Sequence, residues 1–122
     1  MPVIPEIRIA GDLHAWAQDI AGFIASISEQ AIRSKGRSVM HLSGVSTLRR
    51  PSYALATPEW KVRFDWSRMC FLFGDERCVP PDHPDSNFKM VHTALFQPLN
   101  ISANHICRMK GEYEDAETAA QE

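Results

Sequence analysis

A chain of 122 residues, of which 44% are hydrophobic and 23% are charged, has the size and composition of a single globular domain. Its net charge of −2 provides no basic surface for nucleic acid, and it has no apolar run of about 18 residues to span a bilayer, so we expect neither as a partner. The start of the chain lacks a signal-peptide pattern and the three cysteines lack CxxC spacing, which together predict a cytoplasmic protein.

The first predicted elements are a weak strand and a long helix. The run "EIRIA" (6–10) alternates as a short strand does. Asp12 is a typical N-cap for the helix that follows, and Gly36 is a typical residue to end it. Apolar residues at intervals of three and four predict one buried stripe, formed by Leu13, Trp16, Ile20, Phe23, Ile24, Ile27 and Ala31.

Strands and helices then alternate along the chain. The strand-like runs are "RSVMHL" (37–42), "MCFLF" (69–73) and "HICRM" (105–109), and the unbroken apolar run at 69–73 is typical of a strand buried on both faces of a parallel sheet. Helices are predicted at 53–56, from Thr57 with Pro58 in its first turn, from Asp85 or Ser86 with Phe88, Val91 and Leu95 facing inward, and at 114–122.

This alternation predicts an α/β fold, Rossmann-like, with a mainly parallel sheet and helices on both faces. The last helical pattern reaches Glu122 without a Gly, Asn or Pro to end it. We therefore expect residues 1–122 to form a single partial domain, the N-terminal part of something longer.

Two polar segments follow predicted strands, at the place where open α/β sheets bind ligands. The first is the turn "SGVST" (43–47), in which backbone N–H groups near Gly44 and the hydroxyls of Ser46 and Thr47 can hold a phosphate. It lacks the lysine of a P-loop and is not GxGxxG, and small residues of this kind also serve in ordinary turns. The residues of the turn alone leave both interpretations open.

The second segment is "GDERCVPPDHPDSN" (74–87). Here Asp75 can act as a general base or bind a sugar hydroxyl, and Arg77 can bind a phosphate or carboxylate. Alternatively, Asp75 and Arg77 pair with each other or cap nearby backbone. Acidic residues crowd around His83, but three prolines stiffen the segment and no metal-type histidine spacing is present, so we expect no metal.

The order of these segments along the chain identifies a family more specifically than either segment does alone. "LSGVST" (42–47), "YALA" (53–56), the GDERxVPxxHxDSN pattern (74–87) and "GEYEDAETAAQE" (111–122) together resemble the front half of the 6-phosphogluconolactonases, over nearly the whole chain. The resemblance implies hydrolysis of 6-phospho-D-glucono-1,5-lactone to 6-phosphogluconate in the oxidative pentose phosphate pathway, without cofactor or metal. It implies a sugar phosphate lactone as the partner, bound by Gly44, Ser46, Thr47, Asp75 and Arg77, with Ser86 and Asn87 shaping the loop and capping its helix.

The chain departs from the pattern in two ways. Val45 and Leu48 stand where the family's turn usually has a second glycine and a proline. The family's general base is a histidine in a GxDGHxxS-type motif, and none of the five histidines here has that context, so no catalytic residue is assigned and the base is expected beyond residue 122. Two alternatives are a non-catalytic sugar-phosphate-binding remnant and the related glucosamine-6-phosphate deaminase chemistry.

Overall fold

The structure, a computed structural model, describes residues 2–43, 46–113 and 115–121. Its strands are β1 (Ser38–Leu42), β2 (Met69–Phe73) and the short β3 (Ile106–Cys107). Within the described residues they form one parallel sheet in the order β1-β2-β3. The predicted α/β class with a parallel sheet is confirmed.

Helices connect these strands. They are α1 (Leu13–Lys35), α2 (Ser46–Leu55), α3 (Pro58–Lys61), α4 (Asn87–Val91), α5 (Gln97–Leu99) and α6 (Ala116–Gln121), with a π-helical turn at His92–Phe96 and 3₁₀ turns at Trp66–Arg68 and Ala103–His105. Of these, α2 begins at Ser46, inside the predicted turn, and contains Pro51, so it is longer than the predicted piece at 53–56. Within the described part of the chain, none of the helices is long and apolar enough to cross a membrane.

The ends of α1 follow the predicted cap chemistry. Asp12 Oδ1 accepts a hydrogen bond from the backbone N–H of Ala15 at 2.7 Å. Gly36 ends the helix with a φ of 79°, in the left-handed region that favours glycine, and its N–H donates to the carbonyl of Ile32. Both predicted boundaries are confirmed.

The buried face of α1 agrees only in part with the predicted stripe, of which Trp16 and Ile24 pack against the core. It is lined by small residues, Ala17, Ala21, Ala25 and Ser28. Leu13, Phe23 and Ile27 are exposed, Phe23 by 56%, so their assignment to the core was wrong. Small side chains let α1 approach its neighbours closely, and the larger residues are left on the flanks of that contact.

The core lies on one face of the sheet. The side chains of Met69, Phe71 and Phe73 are buried there, whereas Cys70 and Leu72 on the opposite face of β2 are only half-buried. The prediction that 69–73 is buried on both faces therefore holds fully for one face only. Phe71 packs edge-on against Phe96 with ring centroids 5.1 Å apart, which ties the sheet to the π-helical turn.

The predicted strand at 6–10 was also wrong. Residues 2–10 contain no strand, and Ile7 and Ile9 are 79% and 91% exposed. The side chains of Glu6 and Arg8 pair at 2.8 Å, as expected for residues two apart in an extended segment. An alternating pattern becomes a strand only when another strand pairs with it, and no described strand does so here.

Candidate functional site

The carboxyl ends of the strands bring the two polar segments together. Leu42, the last residue of β1, pairs with Phe73, the last residue of β2, and the N–H of Gly74 donates to the carbonyl of Leu42 at 2.8 Å. Since the strands are parallel, the chain leaves both of them at the same edge of the sheet. The segment leading to α2 and the segment beginning at Asp75 therefore start side by side.

Glu76 organises the second segment. Its Oε1 accepts hydrogen bonds from the backbone N–H groups of Arg77 at 2.8 Å and Asn87 at 2.7 Å. Its Oε2 accepts from the Ser86 hydroxyl at 2.9 Å and from the N–H of Phe88 at 3.0 Å. Two of these donors belong to the first turn of α4, where N–H groups lack intrahelical acceptors and a negative charge is favourable. We call these five residues the Glu76 network.

Ser86 and Asn87 complete the attachment of this loop to α4. The Ser86 hydroxyl accepts from the N–H of Lys89 at 3.2 Å, so its predicted capping role is confirmed. The Asn87 side-chain amide donates to the carbonyl of Asp75 at 3.2 Å. Ser86 and Asn87 are 2% and 1% exposed, so these polar contacts lie in the interior and hold the loop in one arrangement.

The guanidinium of Arg77 is held by uncharged acceptors. Its Nη1 donates to Asn87 Oδ1 at 2.9 Å and to the carbonyl of Asp85 at 3.2 Å. Among the described residues no ion pair joins Arg77 to Asp75, so the alternative that these two residues pair with each other was wrong. The other part of that alternative, contact with nearby backbone, is seen for Arg77 at the carbonyl of Asp85. The Nε and Nη2 atoms of Arg77 donate to no described residue and remain available to a ligand.

One cavity of about 260 Å³ joins the two segments. It lies between the start of α2 and the loop before α4, and its lining residues are Ser46, Arg49, Arg77, Pro84, Asp85, Ser86, Asn87 and Met90. We call it the Arg49–Arg77 cavity.

The predicted site residues are placed differently with respect to this cavity. Ser46 and Arg77 line it together, as members of one site should. Thr47 and Asp75 are exposed and are not among its lining residues, and the Asp75 carboxylate bonds to no described residue. Gly44 lies outside the described residues, so its part in the predicted phosphate turn stays a prediction.

A larger cavity of about 420 Å³ is lined by Glu76, Arg77 and Cys78 of the same loop. Arg108 also lines it and forms a bidentate pair with Glu112, at 2.8 and 3.0 Å. Hydrogen bonds from Arg108 hold the pKa of Glu112 below its usual range, and the same contact raises the pKa of Arg108. The guanidinium of Arg108 lies 5.8 Å from the centroid of the Phe88 ring, which links this pair to the start of α4.

Gly111 packs directly against the backbone of the same loop. A Cβ atom on this residue would overlap the carbonyl oxygen of Arg77 and lie 2.7 Å from that of Val79. Glycine is required here for close approach between two backbone segments. The position of Arg77 thus depends on a contact 34 residues later in the chain, counted from residue 77 to residue 111.

Two residues of this arrangement were missed from the sequence as members of the site. The role of Glu76 depends on donors ten to twelve residues away, which no local spacing rule covers. Arg49 lies three residues after Ser46 on α2, and that helical spacing would have placed it on the same side once the start of α2 was known. Arg50 has an equally suitable spacing, so the sequence alone could not have chosen between them.

A parallel α/β sheet with a cation-lined cavity outside the carboxyl ends of its strands defines a class of α/β proteins that bind ligands at this edge. Within that class, the chain belongs to the family described as glucosamine-6-phosphate isomerases/6-phosphogluconolactonase, whose profile matches residues 11–122.

Individual proteins agree with this assignment. The chain is 38% identical over 96 residues to a 6-phosphogluconolactonase of Treponema pallidum, covering 79% of this chain and 39% of the relative. The crystal structure of a 6-phosphogluconolactonase from Shewanella baltica superposes with a TM-score of 0.75 at 28% identity, over 88% of this chain and 44% of that one. A monomeric glucosamine-6-phosphate deaminase, at 17% identity and a TM-score of 0.74 over 92% of this chain and 45% of that one, shares the fold. The chain thus spans about two fifths of the length of these proteins.

Proposed function

We propose that this chain supplies the phosphate-binding part of a 6-phosphogluconolactonase, an enzyme that hydrolyses 6-phospho-D-glucono-1,5-lactone to 6-phosphogluconate. The names of the relatives support this proposal. The observation that carries it is the Arg49–Arg77 cavity, because there a partly free guanidinium and the first turn of a helix line the same space. A cytoplasmic location, in the oxidative pentose phosphate pathway, stays a prediction that goes with this activity.

The groups around the cavity suit a phosphate. Ser46 is the first residue of α2, where backbone N–H groups have no intrahelical acceptor and the helix dipole is positive. Its hydroxyl adds a further donor, and Arg77 offers, in a planar fork, two nitrogen atoms that donate to no described residue. Together these groups would hold the phosphate end of the substrate and leave its lactone ring to project from the cavity.

The reaction itself requires an activated water. Its oxygen adds to the lactone carbonyl carbon, the bond from that carbon to the ring oxygen breaks, and the ring oxygen takes a proton to become a hydroxyl. The family resemblance assigns proton removal from the water to a histidine whose motif has no counterpart in residues 1–122. We therefore expect these residues alone to bind the sugar phosphate without accelerating hydrolysis, since a positioned general base contributes about 10²–10⁴-fold.

A hybrid protein tests the proposed reaction. Residues 1–122 would replace the matching part of the Treponema pallidum relative, and lactone hydrolysis would be followed with the spontaneous rate subtracted. We expect the hybrid to hydrolyse the phosphorylated lactone and the 122-residue chain alone to leave the spontaneous rate unchanged. A folded hybrid that releases ammonia from glucosamine 6-phosphate would favour the deaminase alternative. A folded hybrid with neither activity would favour the non-catalytic one.

Arg77→Ala in this hybrid tests the role of the arginine. A charge-assisted hydrogen bond contributes about 1.5–3 kcal/mol, so kcat/KM for the phosphorylated lactone should fall by about 10–100-fold. Hydrolysis of unphosphorylated gluconolactone should change little. Arg77→Lys should recover only part of the loss, because an ammonium group cannot reproduce the planar fork. Equal losses for both lactones would show that Arg77 only braces the loop.

A further inference from the structure

We propose that Arg49 is a second phosphate-binding cation, which acts opposite Arg77 across the cavity and makes the site selective for a dianionic group. This inference rests on the proposed sugar-phosphate site and adds to it a residue that the family resemblance did not assign. Its basis is the position of Arg49, its lack of a partner among the described residues and its place on α2.

Arg49 and Arg77 face the same space from different elements. Arg49 belongs to α2 and Arg77 to the loop after β2, and both line the cavity of about 260 Å³ together with Ser46, the first residue of α2. Asp85 is the one carboxylate among the lining residues, so the lining carries a net charge of +1, from two arginines and one aspartate. Lys89 adds another positive charge nearby, because it lines the adjoining cavity together with Arg49. The field in this space favours an anion.

The two guanidinium groups differ in their hydrogen-bond partners. The guanidinium of Arg49 forms no hydrogen bond or ion pair with any described residue, whereas one nitrogen of Arg77 is tied to Asn87 and Asp85. A phosphate dianion has three acceptor oxygens and can be bound by two guanidinium groups at once. Arg77 would define where the phosphate sits, and Arg49 would close on it from the helix side.

The location of Arg49 on its helix supports a ligand-binding role. The first turn of α2 contains no acidic residue, and Arg49 and Arg50 follow directly at its positive end. Cations near the N-terminus of a helix destabilise it, because the helix dipole repels them. A local arrangement that opposes helix stability is expected at functional sites, where a bound anion would remove the repulsion.

Arg50 provides a matched control on the same helix. It is the next residue and has the same side chain, but it lines a different cavity, against α1, together with Leu13, His14 and Gln18. The experiment compares Arg49→Gln with Arg50→Gln in the 122-residue chain. Binding of 6-phosphogluconate, and of gluconate as the probe without phosphate, would be measured by calorimetry, and thermal unfolding would be recorded without ligand.

We expect Arg49→Gln to weaken 6-phosphogluconate binding by about fivefold, since the lost contact is charge-assisted but exposed to solvent. Arg50→Gln should change it by less than about twofold, and gluconate binding should not respond to either variant. Without ligand, Arg49→Gln should unfold at the same or a higher temperature, because a repelled cation has been removed from the first turns of α2. If Arg49 had only a structural role, Arg49→Gln would instead unfold at a lower temperature than the unmodified chain.

Two results would overturn the inference. One is equal loss of affinity in both variants, which would reflect the general field of α2. The other is the absence of 6-phosphogluconate binding by the unmodified chain. If instead binding depends on Arg49 and the hybrid protein hydrolyses no lactone, the second cation stands and the proposed reaction fails.

Discussion

The loop after β2 and the start of α2 lie side by side at one edge of the sheet, and they hold their arginines in different ways. In the loop, the Glu76 network fixes the backbone, and the side chain of its member Asn87 holds one nitrogen of the Arg77 guanidinium. On α2, Arg49 has no partner among the described residues. Arg77 is therefore pre-organised before a ligand binds, whereas Arg49 has to be ordered by the ligand. The comparison indicates that one segment of a binding site can hold its side chain in place while a neighbouring segment supplies a side chain that adjusts to the ligand.

The largest effect should come from removing the centre of the pre-organised side. Glu76→Ala leaves four donors without their acceptor, two of them at the start of α4 and one on buried Ser86. We expect the free energy of unfolding to fall by about 3 kcal/mol, measured by chemical denaturation, because unpaired buried donors each cost about 1–3 kcal/mol and water will reach some of them. Glu29→Ala, which removes an exposed pair with Arg63, is the control and should change it far less. Similar values for the two variants would show that the network does not stabilise the loop.

A smaller effect should follow when Arg77 loses one of its two acceptors. Asn87→Ala removes the acceptor at 2.9 Å from Arg77 Nη1 and leaves only the longer contact with the Asp85 carbonyl. The guanidinium is then less firmly oriented, and binding of 6-phosphogluconate should weaken by about threefold to tenfold. A double-mutant cycle checks the mechanism. The effect of Asn87→Ala on affinity should disappear when Arg77 is already alanine and persist when Arg49 is alanine. Persistence in both backgrounds would mean that Asn87 acts only through the fold.

The smallest predicted effect is on the pH dependence of stability, and it comes from the pair of Arg108 and Glu112. Because the pKa of Glu112 is lowered in the folded protein, the pair stabilises the fold fully above the unfolded value of about 4.3 and ceases to do so as the pH falls through the lower folded pKa. The melting temperature of Glu112→Gln should therefore lie below that of the unmodified chain at pH 6, and the two should converge below pH 4. A constant difference across this range would indicate that the charge of Glu112 is not responsible.

The parts of the fold that were predicted correctly depend on local chemistry. Asp12 and Gly36 bound α1 because a cap acts within a few residues of its own position. The strand at 69–73 was visible because an apolar run of this length suits a buried sheet, and the strand-like run at 37–42 contains β1 (Ser38–Leu42). The strand at 6–10 and the exposed Phe23 were predicted wrongly, because pairing and packing depend on which other elements are present.

The residues of the candidate site likewise include some that the sequence indicated and others that only the structure revealed. Arg77 could be proposed from a long motif, and the structure places it with Ser46 in one cavity. Glu76 stands in the same motif, but its contacts run to Ser86, Asn87 and Phe88, and only the folded chain shows that they converge on one carboxylate. Arg49 required knowledge of where α2 begins and of which side faces the cavity. A sequence can indicate the chemistry of a site more readily than the residues that orient it.

The contact at Gly111 has a consequence for how this protein can change by mutation. Every single-nucleotide replacement of a glycine codon by another amino acid adds at least a Cβ atom, and at this position that atom would meet the carbonyl oxygens of Arg77 and Val79. Backbone atoms cannot rotate aside as a side chain can, so the loop itself would have to move. A missense change at a residue outside the Arg49–Arg77 cavity would then displace the arginine on which binding is proposed to depend. Genetic screens for loss of activity should therefore recover position 111 alongside position 77.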